Sequence, residues 1–208
     1  MKTAPFETHT ERYEAWFDRN PAVYQSELQA IRAMLPKEGH GVEIGVGTGR
    51  FAAPLGIEFG IEPSPKIGAI AKKKGIKVLE GIAESLPCAD ETFDYAVMVT
   101  TLCFLDDVDA AFREARRAIK PGSYCINGFV DRESKLGKAY EEHKQESPFY
   151  NIAKFYSVDE VVENLQRAGF TNFDFNQTIF HPLDKIKEVE PVKPGYGEGS
   201  FVVIKAKK

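Results

Sequence analysis

Between Val42 and Arg50 the chain reads VEIGVGTGR: an acidic residue inside an apolar run, then glycines at positions 45, 47 and 49. Such a turn, closing a strand and opening a helix, lets a ligand approach bare backbone where side chains would otherwise stand. Glu43 precedes the first glycine, inside the expected strand. A carboxylate buried there is costly unless it accepts hydrogen bonds from loop amides or faces a cation, so a partner is expected for it. Further on, Glu62 in GIEPS falls at the tip of the next strand, where the two oxygens of one carboxylate suit the vicinal diol of a ribose. A tight turn without a ligand would explain the glycines alone, but it leaves Glu43 and Glu62 without a purpose.

These residues need elements to hold them. The first forty residues read as helical: Thr8 and Glu11 have capping-box spacing, and Tyr13, Trp16 and Phe17 share a face. After Asn20-Pro21, residues Tyr24, Leu28, Ile31 and Leu35 form a second stripe. From Val42 the pattern changes to short apolar runs, VEIG, IEFGIE, IKVLEG, FDYAVMV and SYCINGFV, alternating with helical segments, as parallel strands joined by helices require. Ser64-Pro65 opens a connector that Gly75 closes. A second runs from Asp106 to Ile119 and stops before Pro121-Gly122. Beyond these, Lys135 to Glu146 predicts a polar surface helix, and Ser157 with Glu160 opens another that ends at Gly169. The runs NFDFNQTIF and SFVVIKAKK are expected to pair as antiparallel neighbours, separated by a segment rich in proline and glycine.

Size and composition set limits. The 208 residues suit one domain, and a formal net charge of -4 provides no basic field for bulk nucleic acid. Cys88, Cys103 and Cys125 are few and set in apolar surroundings, which fits reduced thiols in a cytoplasm. No apolar segment approaches the roughly 20 residues of a membrane span, and no signal segment is recognised. The histidines, His9, His40, His143 and His181, lack metal-ligand spacing, so no metal is expected.

The succession VEIGVGTGRF, GIEPS, GIAESLPCADETFDYAVMVTTLCFLDD and AIKPGSYCINGFVDRES closely resembles the class I S-adenosylmethionine-dependent methyltransferases, especially their bacterial small-molecule branch. The resemblance runs unbroken from Val42 to Asp131 and continues more loosely through FYSVDEVVENLQRAGF. It implies S-adenosyl-L-methionine as cofactor and an α/β, Rossmann-like, doubly wound fold. The sheet would be mostly parallel, with seven strands, an antiparallel strand near the C-terminus and an N-terminal helical cap. One domain over residues 1–208 would comprise a cap (1–40), a cofactor-binding core (41–131), and an acceptor-side insertion with C-terminal strands (132–208). Position by position, Glu43, Gly45, Gly47 and Gly49 match the loop behind the cofactor's methionine part. Glu62 matches the ribose ligand, with Pro63 beside the adenine. Ala83 would offer its amide to the ring, Glu84 would face the pocket, and Thr100 ends the fourth strand beneath the cofactor. Where many relatives carry aspartate this chain has Ile82, which implies an apolar contact with the ring.

Two other readings share the fold. GTGRFA also satisfies a loose dinucleotide fingerprint, as in a nicotinamide-dependent oxidoreductase, but Glu43 and the AESLP…FDYAV block favour the sulfonium cofactor. A protein that binds the cofactor without transferring the methyl is the other. On the acceptor side Phe104 stands where many relatives place a histidine, so no general base is assigned there. Asp131 and Tyr13 are the candidates for contacting an acceptor, with a helix cap as the plain role for Asp131. Phe149, Tyr150, Phe155 and Tyr156 either wall the pocket or pack an insertion onto the sheet. The absence of Asn-Pro-Pro-Tyr after the fourth strand argues for a small-molecule methyl acceptor; its identity and the oligomeric state stay open.

Overall fold

The protein is described by a computed structural model over residues 4–208; the first three positions of the expected cap lie outside the described residues. Five strands, β1 (Gly41–Ile44), β2 (Phe59–Glu62), β3 (Lys77–Glu80), β4 (Phe93–Val99) and β5 (Ile119–Val130), run parallel. Three more, β6 (Thr171–Thr178), β7 (Lys193–Pro194) and β8 (Phe201–Lys207), complete one sheet in the order β3-β2-β1-β4-β5-β8-β6-β7. β8 is inserted antiparallel between β5 and β6, so the pairing expected of the two C-terminal runs is present.

The sheet has eight strands where seven were expected. The additional one, β7, is a two-residue edge strand pairing Lys193 and Pro194 with Gln177 and Asn176. Its proline disguises it in the sequence, yet an edge position tolerates a residue that cannot donate to the ladder. β5 also begins earlier than expected. Ile119 pairs with Phe93 before an irregularity at Pro121-Gly122 lets Tyr124 pair with Tyr95.

Helices α1 (Ala4–Thr8), α2 (Thr10–Arg19) and α3 (Pro21–Met34) form the cap. The capping box expected at Thr8 and Glu11 is absent. Helix already precedes Thr8, and its hydroxyl donates to the Ala4 carbonyl at 2.9 Å, while Thr10 serves Phe6 in the same way at 2.7 Å. A threonine inside a turn bonds backward rather than capping forward. The box at Ser157 and Glu160 does form, at 3.2 and 2.8 Å, and opens α8 (Val158–Arg167). The connectors are α4 (Ala52–Leu55), α5 (Pro65–Lys73), capped by Ser64, and α6 (Val108–Ala118), capped by Asp107; α7 (Lys135–His143) starts at Ser134.

Alternation along the strands builds two layers. Val42, Ile44, Ala96 and Met98 point to one face, beneath Phe112 of α6 and Leu165 of α8. Val97 and Val99 point to the other, against Phe17, Leu28, Ile31, Ala52 and Ala71. The same alternation sends Glu43 to the second face, under the cap. The chain winds in opposite directions from β1 and β4, and the crevice beyond their carboxyl ends is where such sheets bind ligands.

Candidate functional site

β1 delivers the chain into the glycine turn at the sheet's reversal. The Gly45 and Val46 amides donate to the Ile61 carbonyl at 2.8 and 3.1 Å, which ties the loop to β2. That contact brings Glu62 beneath it. One carboxylate oxygen of Glu62 accepts from the Gly47 amide and the other from the Ser64 amide, each at 3.0 Å. Both oxygens keep a second lone pair for a ligand, and the side chain lines a cavity of about 580 Å³. Burial raises the Glu62 carboxyl above its ordinary range, opposed by the two amide bonds.

The three glycines do different work. Gly47 has φ +54°, and a Cβ there would meet only the Tyr13 hydroxyl, at 3.9 Å, so its bareness opens space in the cavity. A Cβ on Gly49 would stand 2.5 Å from Ile76 Cδ1. Gly49 is therefore a packing glycine that lets α5 close on the loop, and it is not among the residues lining the cavity. Gly45 does line it.

Glu43 is 2% exposed and accepts from the Ala52 amide, while its Oε2 has no hydrogen-bond partner among the described residues. Burial, with the charge of Glu62, lifts it well above the usual carboxylate range. The partner expected for Glu43 is thus half present. Thr100 follows β4 in the left-handed region, φ +50°, its amide held by the Gly128 carbonyl at 2.8 Å. Both Thr100 and Thr101 line the cavity.

Other sequence-predicted residues lie elsewhere. Pro63 and Ala83 are not among the residues lining the cavity. Glu84, expected to face the pocket, turns away: its carboxylate accepts from the Asp106 amide at 2.9 Å, in the turn before α6. Asp131 is also displaced. It is 5% exposed and accepts from the Glu133 amide at 3.1 Å and from the Val158 amide, pinning the chain after β5, while Val130 and Leu136 reach the cavity. Ser134, not Asp131, caps the helix that follows.

The opposite wall is aromatic. Tyr13, Trp16 and Phe17 line the cavity and pack into the core of the second face, so wall and packing roles coincide. Phe6, Phe104, Tyr140, Phe149 and Tyr150 complete it, with Phe6 and Phe104 centroids 4.8 Å apart and Tyr140 and Tyr150 also 4.8 Å apart. Phe155 and Tyr156 pack behind it. Burial and the charges of Glu43, Glu14, Glu62 and Glu27 push the Tyr13 phenol far above its ordinary range, so it stays protonated and can donate. The sequence reading missed Glu27. This α3 residue lines the cavity, is 7% exposed, and is raised by burial to about 8. Its signal was its place three residues after Tyr24 and next to Leu28, on the face that packs inward.

Among the described residues no group of three or more His, Cys, Asp and Glu is arranged to hold a metal, and no helix is long and apolar enough to cross a membrane. The profile of a family described as a methyltransferase domain matches residues 42–127. A Thermotoga maritima crystal structure, described as an S-adenosylmethionine-dependent methyltransferase and possible histamine N-methyltransferase, superposes with a TM-score of 0.98, is 52% identical and covers 100% of both chains. The chain belongs to the S-adenosylmethionine-dependent methyltransferases. An uncharacterised protein of Methanocaldococcus jannaschii is 48% identical over 203 residues, covering 98% of each chain. A malonyl-[acyl-carrier protein] O-methyltransferase of Geobacter sulfurreducens is 29% identical, covering 82% of this chain and 73% of its own.

The methyltransferase cofactor is S-adenosylmethionine, a nucleoside with a diol and a sulfonium charge, and the site fits it. Glu62 presents two oriented oxygens, the loop is bare at Gly47, and Glu43 keeps an unpartnered buried oxygen behind the turn.

Proposed function

We propose that this methyltransferase transfers the methyl group to a small-molecule nucleophile held between the glycine loop and the aromatic wall. One observation carries the reading: the same cavity is bounded by Gly45, Gly47, Glu62 and Thr100 on the sheet side and by Tyr13, Phe104, Tyr140 and Tyr150 on the cap side. The cavity's reach from the glycine loop to the aromatic wall favours transfer over mere binding. The acceptors named for similar proteins, histamine and malonyl-[acyl-carrier protein], include small molecules and small carried groups.

In this reading Glu62 holds the ribose hydroxyls, and the Gly45–Gly47 turn backs the methionine portion with Glu43 behind it. Pro63, Ile82 and the Ala83 amide approach the adenine, and Thr100 supports the sulfonium end. When bound, the cofactor supplies an electrophilic methyl group and a thioether leaving group. The protein's own part is to orient an electron pair toward that methyl and keep water out, worth on the order of 7 to 11 kcal/mol when geometry is good. Tyr13, Trp16 and Phe149 provide the dry cover, and the Tyr13 hydroxyl donates a hydrogen bond without acting as a base.

Calorimetry with S-adenosylhomocysteine and with NAD tests the cofactor assignment. Wild type is expected to bind only the former, and Glu62→Gln, which keeps one acceptor oxygen for the loop, should bind it roughly 10- to 100-fold more weakly. Equal affinity in the variant would remove the ribose assignment.

A further inference from the structure

A carboxyl turned from the core into a cavity, with no protein group paired to it, needs an explanation. Glu27 occupies an inward-facing position of α3, beside buried Val23, Ser26, Leu28, Ala30 and Ile31. Among the described residues none donates a hydrogen bond to its carboxyl, and its displaced ionisation has burial as the sole cause. It is therefore neither the member of an ion pair nor a cap, and an ionisable side chain withdrawn from water without such a partner is costly to keep unless something else needs it. What it faces is the acceptor half of the cavity. Tyr13 from α2, Tyr24 from its own helix, Tyr140 from α7 and Tyr150 from the turn at Tyr150–Ile152 all sense its charge. Arg12 and Arg19 also line the cavity but pair with Glu27 in neither case, and Glu62 closes the sheet side, in front of Glu43.

We propose that Glu27 is the acceptor-binding carboxylate of this enzyme and that the acceptor is a small primary or secondary amine with an aromatic or apolar body, its ammonium on Glu27 and its body against Phe104, Tyr140, Phe149 and Tyr150. The inference rests on the small-molecule reading above and narrows it to nitrogen. Ring faces carry negative potential and attract an ammonium, and a lone carboxylate among them completes a cation site. An amine also accounts for the carboxyl's second property. An ammonium has no lone pair, so one N–H bond must break before nitrogen can attack. That proton passes to a Glu27 oxygen, turning carboxylate and ammonium into carboxylic acid and neutral amine with no change in total charge. The freed pair stays on nitrogen, aimed into the cavity. Below about pH 8 the free enzyme holds Glu27 protonated, so binding of the ammonium first displaces that proton to solvent; the carboxylate left on the ammonium then takes back the N–H proton far more readily than an ordinary one.

The test is a charge series on the full chain, saturated with S-adenosylhomocysteine and followed by calorimetry: 2-phenylethylamine, 2-phenylethanol and phenylacetate, of nearly one shape. The amine is expected to bind at least about tenfold more tightly than the alcohol, with phenylacetate weakest. Glu27→Gln should abolish that preference while holding S-adenosylhomocysteine within about twofold of wild type. With S-adenosylmethionine, mass spectrometry should find the N-methyl product from wild type only. An amine no tighter than the alcohol in wild type, including failure of all three to bind, overturns the inference whatever the variant does, as does a Glu27→Gln protein that keeps the preference. Loss of S-adenosylhomocysteine binding by wild type would instead remove the cofactor site itself, and the amine with it.

Discussion

At the scale of single residues the site is defined by carboxyls largely withdrawn from water. Glu27 gives the sharpest consequence. Its folded value of about 8 lies above the ordinary 4.5, so between those two values the folded chain holds a proton that the unfolded chain has released. Stability is then full below about pH 4.5 and falls as pH rises toward 8, by ~4 kcal/mol over the window. Glu43 has the same sign. Urea unfolding of wild type and Glu27→Gln across pH 4.5 to 9 separates the two, because the isosteric amide removes only the Glu27 contribution. The curves should diverge steadily and run parallel above about pH 8; parallel curves throughout would mean that Glu27 is not buried. Glu62 and Glu27 also show what a sequence reveals of a site. Glu62 was legible because its neighbours in the chain, a strand end and a proline-led helix, already fix its place. Glu27 was not, because a lone glutamate on a helix reads as solvent-facing until α7 and the Tyr150–Ile152 turn, more than a hundred residues later, cover it. Gly49 was legible in position, while its close approach to Ile76 was not, because that neighbour is set by packing rather than by the local sequence.

At the scale of elements, the cap is latched to the glycine loop chiefly around Glu14 of α2, with the Tyr24 hydroxyl of α3 donating to the Arg50 carbonyl beside it. Glu14 accepts a bond from the Thr48 hydroxyl and pairs with Arg50 at 2.8 Å and Lys74 at 3.6 Å; Arg50 also reaches Asp18 at 3.2 Å. Loop, cap and α5 thus meet at one carboxylate, which the Thr48 and Arg50 bonds keep below its ordinary range despite partial burial. Partly exposed pairs of this kind contribute about 1 kcal/mol. Glu14→Ala should therefore speed amide exchange in residues 10–19 several-fold and hasten S-adenosylhomocysteine release, with β4, β5 and β8 unchanged. Unaltered exchange in α2 would show that aromatic packing alone holds the cap. Local chemistry explains which element boundaries were readable. The box at Ser157 and Glu160 closes within three residues and was visible, whereas Thr8, with the same spacing, is spoken for by the Ala4 carbonyl behind it. β7 escaped because it is only two residues long and one of them is Pro194, so no strand pattern marks it.

At the scale of the molecule, the doubly wound order was legible because each strand and connector carries its own period, while the cavity's far wall was not, being assembled from α2, α3, α7 and a turn that no local pattern connects. The assembled wall has a thermodynamic consequence. The core of the second face draws Phe17 from α2, Ile31 from α3, Ala52 from α4, Ala71 from α5, Val97 from β4 and Phe201 from β8 into one cluster, so cap and sheet share their buried surface. Trp16, the chain's single tryptophan, sits at the cavity edge of that cluster and reports on the cap, while far-UV dichroism reports on the whole. The two probes should melt at one temperature. S-adenosylhomocysteine at a hundred times its Kd should raise both together by roughly 5 to 10 °C, the shift produced by about 2.7 kcal/mol of linkage in a chain of this size. If Trp16 melted first and the ligand moved only the later transition, the cap would be a separate folding unit that the ligand does not touch, and a cavity walled jointly by cap and sheet could not be its site.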